Sequence, residues 1–443
     1  MEEVDVLFRS ATCITMVDSR PFCRGQVAIK DGKIYAMGSD LRYDAKEVFD
    51  EDLILLPGLV DAHTHAFQIL LRGIVDNVYN VHPLWLRLLI PFEMSLTEKE
   101  AALSAKLTVL NMIKNGVVMF LDAGGPRPDL LAEAALSAGI KGAVTYSTSD
   151  KVEGYVHDEK DGVRLAERYR GRVRGWLSIR QIMISSERLI RAVFEASREK
   201  GIPVTMHISE EHSEIEHAME RWGVRPVEYL KIMKYLTRDL VLAHAAFLSD
   251  SEVDHIASGG SSVVHCPAVN YAYMNFAKIP QMIRRGINVA IGSDGGANSS
   301  LDLLAELRAA YSALNGYHAT PYHYYSEVGL YDLMKMATVN GFRALREEGS
   351  GRIAVGYNAD IIAIRPGPSV LPLHDPVSLP FYASGRDVAH VLVDGRVIMK
   401  DREVLTMNER EILKEVMGVE DEVERKVREL VSKARSGAQT LNA

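Results

Sequence analysis

The sequence predicts an α/β fold, a (β/α)8 barrel carrying a small β-sandwich built from both chain ends, and three observations lead there. Eight short β-rich apolar runs alternate with amphipathic segments over roughly the ~250 residues typical of such a barrel. A chemically useful side chain follows each of several of these runs. The two ends of the chain share a strand-and-turn texture that the middle lacks.

Residues 4–48 show short strands broken by Asp31-Gly32 and Gly38, a hairpin texture. The core strands are then expected at Ile54–His63, Val117–Asp122, Ala143–Ser147, Arg174–Ile179, Val204–Ile208, Leu240–Ala243, Ser262–His265 and Val289–Gly292. Between them, apolar residues three and four apart predict helices over Glu98–Asn115, Asp129–Ala138, Glu187–Lys200, Ser213–Trp222 and Lys278–Arg285. Residues 359–404 repeat the hairpin texture around Asp394-Gly395. Beyond Asn408 charges recur on a helical period through Ala434, and Ser436–Ala443 reads as a frayed tail. The expected division is 1–56 and 353–405 for the sandwich, 57–352 for the barrel, and 406–443 for the terminal helix and tail. A doubly wound open sheet is the competing architecture, but it wants a Gly-rich phosphate loop after its first strand. His63-Thr64-His65 stands there instead.

Composition narrows the function classes. The chain has 443 residues, 47% of them hydrophobic and 25% charged, enough for a large core plus an accessory module. A formal net charge of -8, with no basic run outside the terminal helix, argues against a nucleic-acid surface and favours a small, weakly charged substrate. Cys13, Cys23 and Cys266 are too few and scattered for a disulfide framework or a four-thiolate zinc site, which points to a reducing compartment. The acidic start Met1-Glu2-Glu3-Val4-Asp5 and the lack of a ~20-residue apolar stretch predict a cytoplasmic protein without a membrane span.

The most telling motif is Pro57-Gly58-Leu59-Val60-Asp61-Ala62-His63-Thr64-His65. Positions i and i+2 of a strand share a face, so His63 and His65 can offer two imidazoles to one metal ion. Taken alone, the pair could equally be two strand histidines without a ligand. Further polar groups follow later strands: His207 and Glu210 after the fifth, His244 at the sixth, His265-Cys266-Pro267 at the seventh, and Ser293-Asp294-Gly295 at the eighth. In a barrel the C-terminal strand ends converge on one mouth, which brings these distant residues together.

In order and strand placement these motifs resemble the amidohydrolase superfamily, in its deaminase and chlorohydrolase branch of adenosine-type and guanine-type deaminases and s-triazine hydrolases. The likeness extends through Ala337-Thr338-x-Asn340-Gly341, Gly351-x-Ile353-x-x-Gly356-x-x-Ala359-Asp360 and Val391-x-Val393-Asp394-Gly395, nearly the whole chain. It implies a distorted TIM barrel with a composite β-sandwich. It also implies a metal held by His63, His65, His207 and Asp294, with Zn2+ ahead of Fe2+. Two-metal relatives bridge their ions with a lysine at the end of strand four; this chain reads Leu177-Ser178-Ile179-Arg180-Gln181, so one metal is expected.

By the same resemblance, Asp294 takes a proton from water, Glu210 protonates the ring nitrogen beside the attacked carbon, and His244 orients the attacking oxygen. The substrate contacts implied are Trp85, Gln181 and Asn270. Three departures bear on the substrate. His82 and Pro83 replace acidic residues, Gln181 stands nearest to where a His is usual, and Tyr271–Asn275 replaces a glycine-containing segment. The aromatic stretch 315–325 lacks a counterpart and reads as a loop, lid or subunit contact; a homo-oligomer is implied only by the resemblance. The expected activity is release of ammonia from an amino-substituted purine, nucleoside, pterin, pyrimidine or triazine. Displacement of chloride or an alkylamine from an s-triazine is the rival, and a non-catalytic scaffold the lesser alternative.

Overall fold

Parallel strands wind into a barrel at Leu59–Thr64, Val117–Asp122, Lys141–Val144, Val173–Gly175, Leu177–Ile179, Val204–Ile208, Leu240–His244, Ser262–His265 and Val289–Ile291. The structure is a computed structural model and describes residues 2–439 apart from 76–77, 79–82, 274, 320–322 and 324–326. Helices such as Glu98–Lys114, Pro128–Ala138, Glu187–Lys200, His212–Trp222 and Asp250–Gly259 follow the strands. Their starts obey local chemistry: Thr97 and Glu100 form a capping box, and the Ser186 side chain accepts from Leu189 N–H.

The barrel is distorted in two places. Hydrogen bonding divides it into a four-stranded and a five-stranded parallel sheet. The first break falls inside the fourth strand, at Trp176. Its N–H donates to Val144 O at 3.0 Å, whereas Leu177 N–H donates to Pro203 O at 3.0 Å, so the chain changes partner between neighbouring residues. The second break is the seam between the last strand and the first. Here a Cβ on Gly292 would lie 2.8 Å from His63 Cβ and O, so only glycine permits the approach. The seam is fastened by Asp294 N–H to His63 O (3.0 Å) and by Asp61, which accepts from Ser293 N–H (2.9 Å) and Oγ–H (2.6 Å).

The two chain ends share one eight-stranded sheet, which corresponds to the composite sandwich. Its strand order is Glu403–Val404, Arg396–Lys400, Val388–Val393, Ile361–Ile364, Tyr43–Pro57, Glu2–Ile14, Phe22–Lys30 and Lys33–Gly38. The C-terminal strands are apolar on both faces. Ile361, Ala363 and Leu392 join the sheet's own core with Phe8, Phe49 and Leu55, while Ile362, Ile364, Val391 and Val393 pack on the barrel core. Lys141, 4% exposed, binds Asp360 (2.8 Å), Asp394 (2.7 Å) and Glu347 (3.0 Å), tying the third barrel strand to this sheet.

Three expectations about elements need correction. The apolar run Ile54–His63 is two strands: Tyr43–Pro57 belongs to the outer sheet and Leu59–Thr64 to the barrel. Gly58 divides them, because a Cβ there would come within 2.4 Å of the Val118 side chain. The third barrel strand is Lys141–Val144 rather than Ala143–Ser147. The terminal helix spans Glu409–Gln439 and so includes residues 436–439 of the expected tail, while residues 440–443 lie outside the described ones. Its buried stripe of Ile412, Val419, Val423 and Val427 explains its packing, and Lys426 reaches Glu100 at 2.7 Å on the barrel. Among the described residues no helix is long and apolar enough to cross a membrane.

Candidate metal centre and pocket

Four strand ends deliver the side chains that the sequence singled out. His63 and His65 leave the first barrel strand, His207 the fifth, His244 the sixth and Asp294 the eighth. Several of these ends curl through the left-handed region, with φ of 49° at Ser209, 65° at His244 and 60° at Asp294. Such backbone is costly for residues with a Cβ, and it turns side chains from the barrel axis toward the mouth.

His63 Nε2 lies 3.1 Å from Asp294 Oδ1, and His65 Nε2 lies 3.1 Å from His207 Nε2 and 3.6 Å from Asp294 Oδ1. His63, His207, His244 and Asp294 each offer one ligand atom, all within 4.8 Å of one another. This group differs by one member from the set implied by the resemblance: His244 joins it, and His65 sits against its edge.

The donor set fits a divalent cation. Burial pushes the pKa values of His63, His65 and His207 down, leaving neutral imidazoles whose lone pairs can coordinate. Burial would raise the Asp294 carboxyl, but the hydrogen bond from His63 and the nearby His244 and His65 outweigh it and keep it ionised. Among the described residues, Nε2 of His244 is buried with no hydrogen-bond partner, as are Nδ1 of His63 and His65.

Beside this cluster stands Glu210, against its member His244. His244 Nε2 is 3.7 Å from both Glu210 Oε1 and Asp294 Oδ1. His244 donates through Nδ1 to Asn270 Oδ1 at 2.9 Å, which aims Nε2 at the two carboxylates. Burial lowers the pKa of His244, yet the charges of Glu210 and Asp294 prevail and raise it. The Glu210 carboxyl is raised, chiefly by desolvation. Its peptide is held from both sides: Glu210 N–H donates to Glu214 Oε2 at 3.0 Å, and Asn275 Nδ2 donates to Glu210 O at 2.8 Å.

A cavity of about 730 Å3 opens over these groups, lined among others by Trp85, Arg180, Glu210, Phe247, Asn275 and Asp294. Trp85 is 7% exposed, so it serves both the wall and the core. Asn270 is taken up by His244. Gln181 turns away, donating to Glu214 Oε2 at 3.0 Å and accepting from Met183 N–H at 3.4 Å.

The side chain that faces the cavity from strand four is Arg180, which the sequence reading passed over. Its Nη1 donates to His207 Nε2 at 2.6 Å, its carbon centre lies 5.9 Å from the Trp85 ring, and its buried Nε has no partner among the described residues. Among the described residues no carboxylate pairs with it. Strand alternation was the available signal, since Ser178 and Arg180 share a face and Gln181 lies on the other. Of the aromatic stretch, Tyr317 stacks on Phe276 at 4.1 Å and His318 Nε2 contacts Ala277 O at 3.2 Å. His82 and residues 320–322 and 324–325 lie outside the described ones.

Comparison with known proteins identifies the family and the fold. The Amidohydrolase family model matches residues 54–398. A 5-methylthioadenosine/S-adenosylhomocysteine deaminase of Pyrococcus furiosus is 32% identical, covering 91% of this chain and 97% of the relative. One of the same name from Caldicellulosiruptor saccharolyticus is 29% identical over 96% of this chain and 100% of its own length. Among solved structures, a zinc-bound adenosine deaminase from Xanthomonas campestris superposes with TM-score 0.88 at 23% identity, covering 96% of this chain and 99% of the other. A zinc-bound atrazine chlorohydrolase from Arthrobacter aurescens gives 0.84 at 21%, covering 94% and 100%. With the family match spanning most of the sequence and a relative 32% identical over nearly all of it, the chain belongs to the amidohydrolase family.

Proposed function

We propose that this amidohydrolase is a metal-dependent hydrolytic deaminase that releases ammonia from an amino-substituted nitrogen heterocycle. The observation that carries the reading is the placement of two carboxyls, Glu210 and Asp294, each 3.7 Å from Nε2 of His244, which with Asp294 belongs to a four-group ligand cluster. Their environments push the two carboxyls apart, Glu210 up and Asp294 down, which suits an acid and a base.

In this reading His63, His65, His207 and Asp294 would hold one divalent ion, zinc by preference, with His244 alongside. Such an ion makes hydroxide available at neutral pH. Asp294, ionised, accepts the proton of the attacking water. Glu210, its carboxyl pushed up by desolvation, gives a proton to the ring nitrogen next to the attacked carbon, so the tetrahedral intermediate stays neutral. His244 orients the oxygen through Nε2, with Asn270 fixing its tautomer. Ammonia leaves and a ring carbonyl remains.

The curated relatives are named for 5-methylthioadenosine, S-adenosylhomocysteine and, in Methanosarcina mazei, 5′-deoxyadenosine. We take a small nucleoside-like molecule as the substrate class, since the cavity has room for a ring with a substituent. Trp85 is its stacking wall. Arg180, not Gln181, is its polar contact on strand four; a guanidinium offers only donors, so the bound molecule must bring acceptors to it. The division into a barrel at 57–352, a sheet from 1–56 and 353–405, and a terminal helix from 406 completes the reading, with free Cys13, Cys23 and Cys266 in keeping with the cytoplasm. Ammonia release from a panel of aminated heterocycles by zinc-loaded protein tests the reading; release of chloride or alkylamine from s-triazines instead would transfer it to the rival activity.

A further inference from the structure

The outer sheet places two thiols directly against each other, far along the chain from the residues of the pocket. Strand Glu2–Ile14 pairs antiparallel with Phe22–Lys30 in a register that sets Cys13 opposite Cys23, flanked by Thr12 with Arg24 and Ile14 with Phe22. Thr15 N–H donates to Pro21 O at 2.9 Å and closes the hairpin between them. Directly opposed residues of an antiparallel pair have Cα atoms about 4.5–5.5 Å apart. A disulfide spans Cα separations of about 4.4–6.8 Å.

From this juxtaposition we propose that Cys13 and Cys23 are a reversible oxidation site, closing to a cross-strand disulfide when a small-molecule disulfide is present. Cys13 is 1% exposed and sits in the sheet core with Phe8, Leu55 and Ile353. Cys23 is half-buried at the rim and is the thiol a reagent can reach. The opposed Cys13 thiol and the nearby Arg20 pull the Cys23 thiol down, while Cys23 and burial push the Cys13 thiol up. Cys23 is therefore the attacking thiol and Cys13 the resolving one. The remaining thiol, Cys266, is wholly buried and far from both in sequence.

The step balances with glutathione disulfide as oxidant. The Cys23 thiolate attacks one sulfur, its proton having gone to solvent, and one glutathione thiolate leaves. Cys13, giving up its proton, then attacks the Cys23 sulfur of the mixed disulfide and expels the second glutathione. Two protein thiols become one cystine, and one glutathione disulfide becomes two thiols. The closed loop is short, so the cross-link stiffens the hairpin more than the whole protein.

Metal-loaded full-length protein is incubated with glutathione disulfide, quenched, denatured, alkylated with iodoacetamide and mapped by peptide mass spectrometry. The expected product is the Cys13 and Cys23 peptides joined, at a mass lower by two hydrogens than the free thiols, with Cys266 alkylated. Dithiothreitol should reverse it, and the ammonia-releasing rate should be the same before and after. In Cys13→Ser, glutathione should remain on Cys23, because the resolving thiol is gone. Alkylation of both cysteines in the treated wild type, a glutathione adduct persisting on its Cys23, or a dimer linked through Cys23 would each overturn the proposal.

Discussion

Glu214 accepts the peptide N–H of Glu210 through Oε2 at 3.0 Å, so a wholly buried carboxylate fixes the backbone of the proposed acid from one helical turn away. The same oxygen takes the Gln181 amide at 3.0 Å, which links the ends of strands four and five. Glu214→Ala should lower kcat about tenfold, the scale of one lost hydrogen bond at an oriented group, with metal content and KM held. Glu214→Gln, which keeps an acceptor, should restore much of it. Unchanged kcat in a variant that only melts earlier would make Glu214 a structural residue.

Arg180 carries a buried guanidinium whose Nε is unsatisfied, and among the described residues it has no carboxylate partner. Arg180→Met should therefore raise KM by on the order of 10–100-fold, the loss of a charge-assisted hydrogen bond, with metal still bound. Gln181→Met should raise KM far less, since its amide is spent on Glu214. Equal effects from both would remove Arg180 from the substrate wall.

Gly292 closes the seam where a Cβ would lie 2.8 Å from His63. Gly292→Ala should cost about 1–3 kcal/mol through forced displacement and weaken metal retention by shifting His63. Thermal melting and metal analysis check this; a variant with native Tm and full metal would show that the seam has slack.

Glu306 supplies a pH dependence. Burial pushes its carboxyl up to about 8 from 4.5, against hydrogen bonds from Ala268 N–H and Ser299. Because the folded group holds its proton more tightly than the unfolded one, its contribution is full below about 4.5 and is lost as pH rises toward about 8. Glu306→Gln should flatten the fall of Tm over that window, and an unchanged slope would mean the group is ionised in the fold.

The parts of the molecule that depend on local pattern were legible in the sequence. His63 and His65 announce themselves because strand alternation puts them on one face, and the convergence of His207, His244 and Asp294 follows from barrel geometry once their strands are placed. What depends on close approach in space was not. The break of one apolar run at Gly58 comes from the Val118 side chain on the neighbouring strand, and the partner change at Trp176 shows only in the hydrogen bonds to Val144 and Pro203. Gln181 was singled out over Arg180 because it stands nearest to where the resemblance places a His, and the turn of Gln181 toward Glu214 depends on packing that the sequence does not display.

The most direct test of the central claim is ammonia release by zinc-loaded wild-type protein and its Glu210→Gln variant on the best substrate of an aminated-heterocycle panel. The account expects turnover in the wild type and a loss of a hundredfold or more, on the order of 10²–10⁴ for a missing general acid, in a variant that keeps its metal. Near-wild-type turnover by metal-replete Glu210→Gln would contradict it.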